Sequence, residues 1–206
     1  MNGSLIFKER IYPVLFMLVL TLIFIGIVSA IYLSTREVVL LNESLFLKKA
    51  LLYAADFPVP EGSTEAEEAF QTHFREVGDG RSGEGYFEIL QGQGSQVVGY
   101  AFLTSGAGLW GEIEAVLAFE KDLKTLRGIE FTKQNETPGL GARITEQWFK
   151  EQFRRKKGPF VFVPEGEAAG SNEVDAITGA TRTSEAVKAI VNRAVNEAGE
   201  FVGGGN

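Results

Sequence analysis

Residues 11–33 are apolar and free of charge, and the remainder alternates short apolar runs with polar, glycine-rich stretches. About 20 apolar residues suffice to cross a bilayer core as a helix, so the first block predicts a single membrane-spanning helix. A cleaved signal peptide is the rival reading, because Val28-Ser29-Ala30 has the small residues of a cleavage site. The apolar region of such a signal is only about 7–15 residues, which points instead to a retained anchor. Residues 38–55 continue with an apolar face, as an extension of that helix or as a second one, closed by Pro58 and Pro60. Residues 64–77 read as a polar helix and 79–85 as a loop. Residues 86–90 and 97–104 read as strands joined by the Gly92-Gln93-Gly94-Ser95 turn. Residues 112–120 place Ile113, Ala115, Leu117 and Phe119 on one face, a half-buried strand, and 128–132 follow as another. Residues 144–157 predict a helix burying Trp148, Phe149 and Phe153, with Arg154, Arg155, Lys156 and Lys157 complementing its C-terminal dipole. A short strand at 160–163 precedes the last helix, whose apolar face is Ala186, Val187, Ile190, Val191, Ala194, Val195 and Ala198. Thr183 or Ser184 would cap that helix, with Glu185 in its first turn.

These elements give an α+β chain in which a membrane helix precedes one domain with an antiparallel-rich sheet flanked by helices. The expected division is a short segment 1–10, the anchor 11–33, a domain over 34–202 and a flexible tail at 203–206. Lys8 and Arg10 before the anchor are nearly balanced by Arg36, Lys48 and Lys49 after it, so charge alone leaves the orientation open.

Composition narrows the chemistry. The formal net charge is −7, which argues against nucleic acid as a partner. There is no cysteine, hence no cysteine-ligated iron–sulfur cluster, c-type haem attachment or disulfide. The single histidine, His73, sits in an acidic stretch without a second imidazole and reads as a surface residue. No metal site or catalytic set stands out. Electron chemistry would have to come from an organic cofactor. Gly106, Gly108 and Gly111 precede a strand pattern, not a helix, so they do not form a dinucleotide fingerprint.

The most informative segment is Asp175-Ala176-Ile177-Thr178-Gly179-Ala180-Thr181, directly before the last helix. A helix N-terminus offers unpaired N–H groups and partial positive charge, both suited to a phosphate. Gly179 and Ala180 permit close backbone approach, and Thr178 and Thr181 add hydroxyls at the same point. Two further segments lie upstream, Ser105-Gly106-Ala107-Gly108-Leu109-Trp110-Gly111 and Asn135-Glu136-Thr137-Pro138-Gly139-Leu140-Gly141. The first carries a large flat ring on a glycine loop. The second contains a Pro-Gly turn whose Leu140 and Gly141 amides and Thr137 hydroxyl could meet the polar edge of a ring ligand.

The order Asp-x-x-Thr-Gly-Ala-Thr resembles the flavinylation motif of the Rnf G and Nqr C subunits of membrane redox ion pumps, and the two upstream segments resemble signatures of the same family. The resemblance runs from about residue 85 to 200 and is closer to Rnf G. It implies FMN joined through a phosphoester to Thr181 by a flavin transferase that uses FAD and recognises Asp175. Thr178, Gly179, Ala180, Trp110, Glu136, Thr137, Leu140 and Gly141 would complete the FMN site. It also implies an electron-carrying subunit of an ion-translocating oxidoreductase, with iron–sulfur and flavin subunits as partners. The anchor would lie in the cell inner membrane and the FMN-binding domain on the periplasmic side. An Nqr-type NADH–quinone reductase component and a membrane-anchored flavin sensor are the alternative readings.

Overall fold

A computed structural model of the chain describes residues 10–78, 85–92 and 96–203. Residues 1–9 of the N-terminal segment, 79–84 of the loop, 93–95 of the turn and 204–206 of the tail lie outside the described residues. The chain divides into two units, Met1–Ser44 and Leu45–Asn206.

The first unit consists of the greater part of helix α1, which runs Tyr12–Ala54. Its apolar side chains point outward all round, with Val14, Leu22, Val28 and Leu33 more than 60% exposed. A helix apolar on every side has a lipid surface or a protein core as its stable surroundings. Several of its hydroxyls bond back to the helix: Thr21 Oγ1 donates to Met17 O at 2.8 Å and Ser34 Oγ to Ile31 O at 2.9 Å. Back-bonding of this kind removes the cost of carrying a free hydroxyl into hydrocarbon. Residues 34–44, assigned by sequence to the domain, are helical and fall in this unit.

The second unit is built on a five-stranded antiparallel meander: β1 Phe74–Val77, β2 Tyr86–Leu90, β3 Val97–Ala107, β4 Glu112–Glu120 and β5 Leu126–Lys133, in that spatial order. The last turns of α1 bring Ala50, Leu51, Leu52 and Ala54 to one core, with Phe87, Ile89, Ala101, Val116 and Ala118 from the sheet. Helix α2, Ser63–His73, adds Ala69 and Phe70 at its border. The other core joins Phe102, Ile113, Leu117, Phe119, Ile129 and Phe131 to Phe149 and Phe153, and to the C-terminal helix. That C-terminal helix, beyond the short α3 (Gln147–Glu151), is α4, Thr181–Gly203, and it buries Val187, Ile190, Val191, Ala194 and Ala198. Strand β4 is therefore covered on both faces, where sequence alternation predicts a half-buried strand. Val116 and Ala118 pack against the α1 end as firmly as Leu117 and Phe119 pack on the α4 side.

Other local readings change because tertiary pairing outweighs local pattern. The polar helix ends at His73, and Phe74–Val77 turns into β1 because Phe74 pairs with Ile89 across β2. His73 is half-buried, not a surface residue, and stacks on Phe57 with centroids 4.0 Å apart. The long helix expected at 144–157 is instead a 3-10 turn, Gly141–Thr145, followed by α3. The helix cannot continue because Arg155, at φ 61°, donates its N–H to Leu126 O at 2.8 Å, and Leu126 N–H returns to Lys156 O at 3.0 Å. The basic run pairs within the chain: Arg154 with Glu151 at 2.8 Å and Asp56 at 3.0 Å, and Lys157 with Asp122 at 3.1 Å. Finally, β6 Val161–Val163 pairs in parallel with a strand the sequence did not announce, β7 Glu173–Asp175.

Gly99 in β3 marks the tightest point of the meander, since a Cβ there would press on the Phe119 carbonyl of β4. Gly99→Ala is expected to lower unfolding stability by about 1–3 kcal/mol, as over-packing does, with the fold kept. Denaturant unfolding of the detergent-solubilised chain, followed by tryptophan fluorescence, measures it, and an unchanged midpoint contradicts this account.

Candidate functional site

The site begins with where the chain buries its motif. Ile177 and Ala180 enter the core at 1% and 7% exposure, which turns Thr178, Gly179 and Thr181 outward. Gly179 adopts φ 80°, a left-handed turn that suits glycine. Helix α4 then starts at Thr181, ahead of the caps expected at Thr183 or Ser184, and Glu185 falls outside its first turn. The first helical bond is Ser184 N–H to Ala180 O at 2.9 Å, so the Thr181, Arg182 and Thr183 amides precede the ladder.

This shift of register sorts the four hydroxyls. Thr183 and Ser184 are buried and committed. Thr183 Oγ1 donates to Glu136 Oε2 at 2.5 Å; Ser184 Oγ donates to Ala180 O at 3.1 Å and accepts the Ile177 N–H at 3.0 Å. Thr178 and Thr181 are exposed. Both line a cleft of about 330 Å³, with Phe162, Pro164, Glu165 and Gly179.

Glu136 is the joint of the site. It is 4% exposed, and both carboxylate oxygens face protein donors. Oε1 accepts the Leu109 and Trp110 N–H groups at 2.8 and 3.1 Å, while Oε2 takes the Thr183 hydroxyl. Sequence placed Glu136 among cofactor contacts; the structure commits its carboxylate to holding the Trp110 loop against the start of α4. A buried carboxylate is costly unless its lone pairs are filled, and charge-assisted bonds from three donors fill them. The neighbouring glycines follow from the same contact. A Cβ on Gly108 would lie 2.5 Å from Glu136 Oε1, and one on Gly141 2.5 Å from Thr183 Oγ1.

The Thr137-Pro138-Gly139-Leu140 turn closes through Leu140 N–H to Thr137 O at 3.1 Å, with Gly139 at φ 73°. The Leu140 amide is thus taken up by the turn. Its side chain is 42% exposed and reaches toward Gly179, where a Cβ would lie 3.1 Å from Cδ2. Trp110 is 69% exposed and Leu109 52%, on a loop closed by Gly108 N–H to Gly111 O at 2.7 Å. The structure therefore brings Trp110, the turn at 137–141 and the threonine motif together, through Glu136, Thr183 and Leu140. Exposed apolar side chains beside exposed hydroxyls at a helix start suit a ligand with a flat ring and an anionic end.

Asp175 ends β7, and its Oδ1 accepts the Glu167 and Ala168 N–H groups at 3.0 and 2.8 Å. It holds the 164–168 turn in place beneath the cleft. Arg143 and Glu165 were not foreseen. Arg143 Nη2 donates to Glu165 Oε1 at 2.9 Å, and Glu165 Oε2 accepts the Thr178 N–H at 2.8 Å. Arg143 first, then the Thr178 N–H, hold the Glu165 carboxyl down at about 2 from an ordinary value near 4.5. No local sequence pattern links residues so far apart. No His, Cys, Asp and Glu grouping suited to a metal occurs among the described residues.

Known proteins resemble the chain over the segments that form this site. Residues 108–196 match the family described as FMN-binding domain. The chain is similar to the G subunit of the Na⁺-translocating ferredoxin:NAD⁺ oxidoreductase complex of Acetobacterium woodii, 39% identical over 116 residues, covering 54% of this chain and 55% of that protein. The match thus spans just over half the length of that relative. It is also similar to the G subunit of the ion-translocating oxidoreductase complex of Methanosarcina acetivorans, 29% identical over 196 residues, covering 92% of this chain and 94% of that one. Among solved structures, the C subunit of the Na⁺-translocating NADH–quinone reductase of Parabacteroides distasonis superposes with TM-score 0.67 at 25% identity, covering 81% and 96% of the two chains.

Two outcomes follow from the carboxylates. Glu136→Ala strands the buried Thr183 hydroxyl and two part-buried amides and is expected to cost about 2–3 kcal/mol, while Glu136→Gln, which keeps an acceptor, costs less. Equal midpoints for the two variants in denaturant unfolding contradict the joint. Glu165 has a folded pKa below its ordinary one, so its stabilising contribution is present above about pH 4.5 and is lost as pH falls through about 2. A carboxyl NMR titration should place its midpoint at about 2 and move it upward in Arg143→Gln.

Proposed function

We propose, for a chain that carries an FMN-binding domain and is homologous to the Rnf G and Nqr C subunits, that it is the electron-carrying flavoprotein component of an Rnf-type ion-translocating oxidoreductase. FMN is attached through a phosphoester to Thr181. The observation that carries this reading is the exposed Thr181 hydroxyl at the start of α4, beside the cleft, while Thr183 and Ser184 are buried and bonded elsewhere. The amides that precede the helical ladder favour an anion there. Trp110, Leu109 and Leu140 offer apolar surface to the ring, and Thr178 and Gly179 line the approach. FMN supplies the one- and two-electron chemistry; the chain binds it, orients it and limits its exposure to water. Substrate is turned over elsewhere in the complex, and the iron–sulfur and flavin subunits are this chain's partners.

Helix α1 is long and apolar enough to cross a membrane once and serves as the chain's single anchor, and the domain lies on the periplasmic side. A covalent bond suits that side, where a cytoplasmic flavin pool cannot refill the site by mass action. A flavin transferase installs FMN and reads Asp175 in doing so. Because Asp175 also holds the 164–168 turn, Asp175→Ala is expected to disturb the cleft as well as recognition.

Intact mass of the denatured full chain, co-expressed with a flavin transferase, tests the attachment. Wild type should carry the FMN increment and Thr181→Ala none, at a stability cost of about 1 kcal/mol or less for an exposed first-turn residue. Thr178→Ala should keep the increment. FMN on Thr178, or full labelling in a host without a transferase, overturns the reading.

A further inference from the structure

Glu165 stands in the wall of the cleft that holds Thr178 and Thr181, an anion on the side where the Thr181 reading seats a phosphoryl group. A carboxylate beside a phosphate is repulsive, and acceptance of the Thr178 N–H fixes this one in place. Arg143 is its counterpart, with Nη2 and Nη1 at 2.9 and 3.4 Å from the two Glu165 oxygens. The Arg143 Nε lies 3.5 Å from Glu146 Oε2, and the guanidinium lies over the Trp148 ring at 5.1 Å. Contacts on three sides hold the cation at Glu165, and its five N–H donors exceed what Glu165 takes. Arg182 is another cation near the motif, but it points outward with a side chain 79% exposed and only a loose 4.0 Å pairing with Glu185. Arg143 also lies two residues beyond the Glu136–Gly141 segment, in the 3-10 turn anchored by its N–H to Leu140 O at 3.0 Å.

We propose, resting on the Thr181 reading, that Arg143 is a positioning residue supplying the counter-charge for the FMN phosphoryl group. Paired with Glu165 it offsets the carboxylate in the cleft wall, and its remaining donors meet the phosphate as it reaches Thr181. In the attachment step the Thr181 oxygen bonds to the FMN phosphorus of flavin adenine dinucleotide. The P–O bond to AMP breaks, AMP departs with the bridging oxygen, and the hydroxyl proton passes to a base of the transferase. The diester keeps one negative charge, so product and Glu165 together present two, of which Arg143 offsets one. A clamp that merely held the fold would have no stake in that sum.

The test uses the full chain in detergent with a flavin transferase and flavin adenine dinucleotide, and reads the FMN-bearing fraction against time by intact mass. Arg143→Gln leaves Glu165 uncompensated and should slow attachment about tenfold or more, a modest charge effect on a barrier. Glu165→Gln frees Arg143 and should react at least as fast as wild type. The double variant should regain most of the rate lost in Arg143→Gln. If the two single variants slow alike and the double is no faster than Arg143→Gln, the pair is only structural and the proposal fails. Wild-type rate in Arg143→Gln also overturns it. A failed Thr181 reading looks different: wild type stays unlabelled, or Thr181→Ala acquires FMN.

Discussion

Three donors from two distant segments converge on the carboxylate of Glu136, and the arrangement of the site depends on that convergence. Leu109 and Trp110 belong to the β3–β4 loop, and Thr183 belongs to the first turn of α4. Removing a carboxylate from water is expensive, so the fold tolerates it only when the lone pairs are filled at good geometry. That requirement fixes the distance between the Trp110 loop and the start of α4. It also explains Gly108 and Gly141, which leave room for the carboxylate and for the Thr183 hydroxyl. Exposed Trp110 and the helix start that carries exposed Thr181 are then tied to one buried group.

The two cores give this joint something rigid to act against. Strand β4 is buried on both faces, between the last turns of α1 on one side and α4 on the other. Helix α4 is amphipathic, so its register on the sheet is set by Val187, Ile190, Val191 and Ala194, and that register turns Thr183 inward and Thr181 outward. The choice among neighbouring hydroxyls is thus made by packing several residues downstream. The same logic applies beyond the end of α1, where Arg154 reaches Asp56, Glu151 and the Arg127 carbonyl and ties that segment to β5 and α3.

Charge is arranged to the same effect. The chain is acidic, yet the wall of the cleft carries a carboxylate that is already matched, Glu165 with Arg143 and the Thr178 amide. Such a pair at the surface contributes little to stability, because solvent screens it. Its consequence is electrostatic and local: it sets the charge of the cleft wall beside Thr178 and Thr181. Asp175 acts in the same region by a different route, through the backbone of the 164–168 turn.

The hydrophobic pattern of the sequence determined the anchor helix, the central strands, the apolar face of α4 and the α+β class, because each of these depends on periodicity within one segment. The threonine motif and the two glycine segments were also legible, since their turn chemistry is local. What the sequence misread were places where distant chain competes with local preference. Phe74 leaves a helix to pair with Ile89, residues 155–156 leave one to bond Leu126, and β7 exists because Val161–Val163 lies beside it. The start of α4 at Thr181, the burial of Thr183 and Ser184, the inward turn of Glu136 and the Arg143–Glu165 pair were decided by tertiary structure alone. Each depends on how a buried or charged group finds its partners across the fold, and residues far apart in the chain carry no local trace of that requirement.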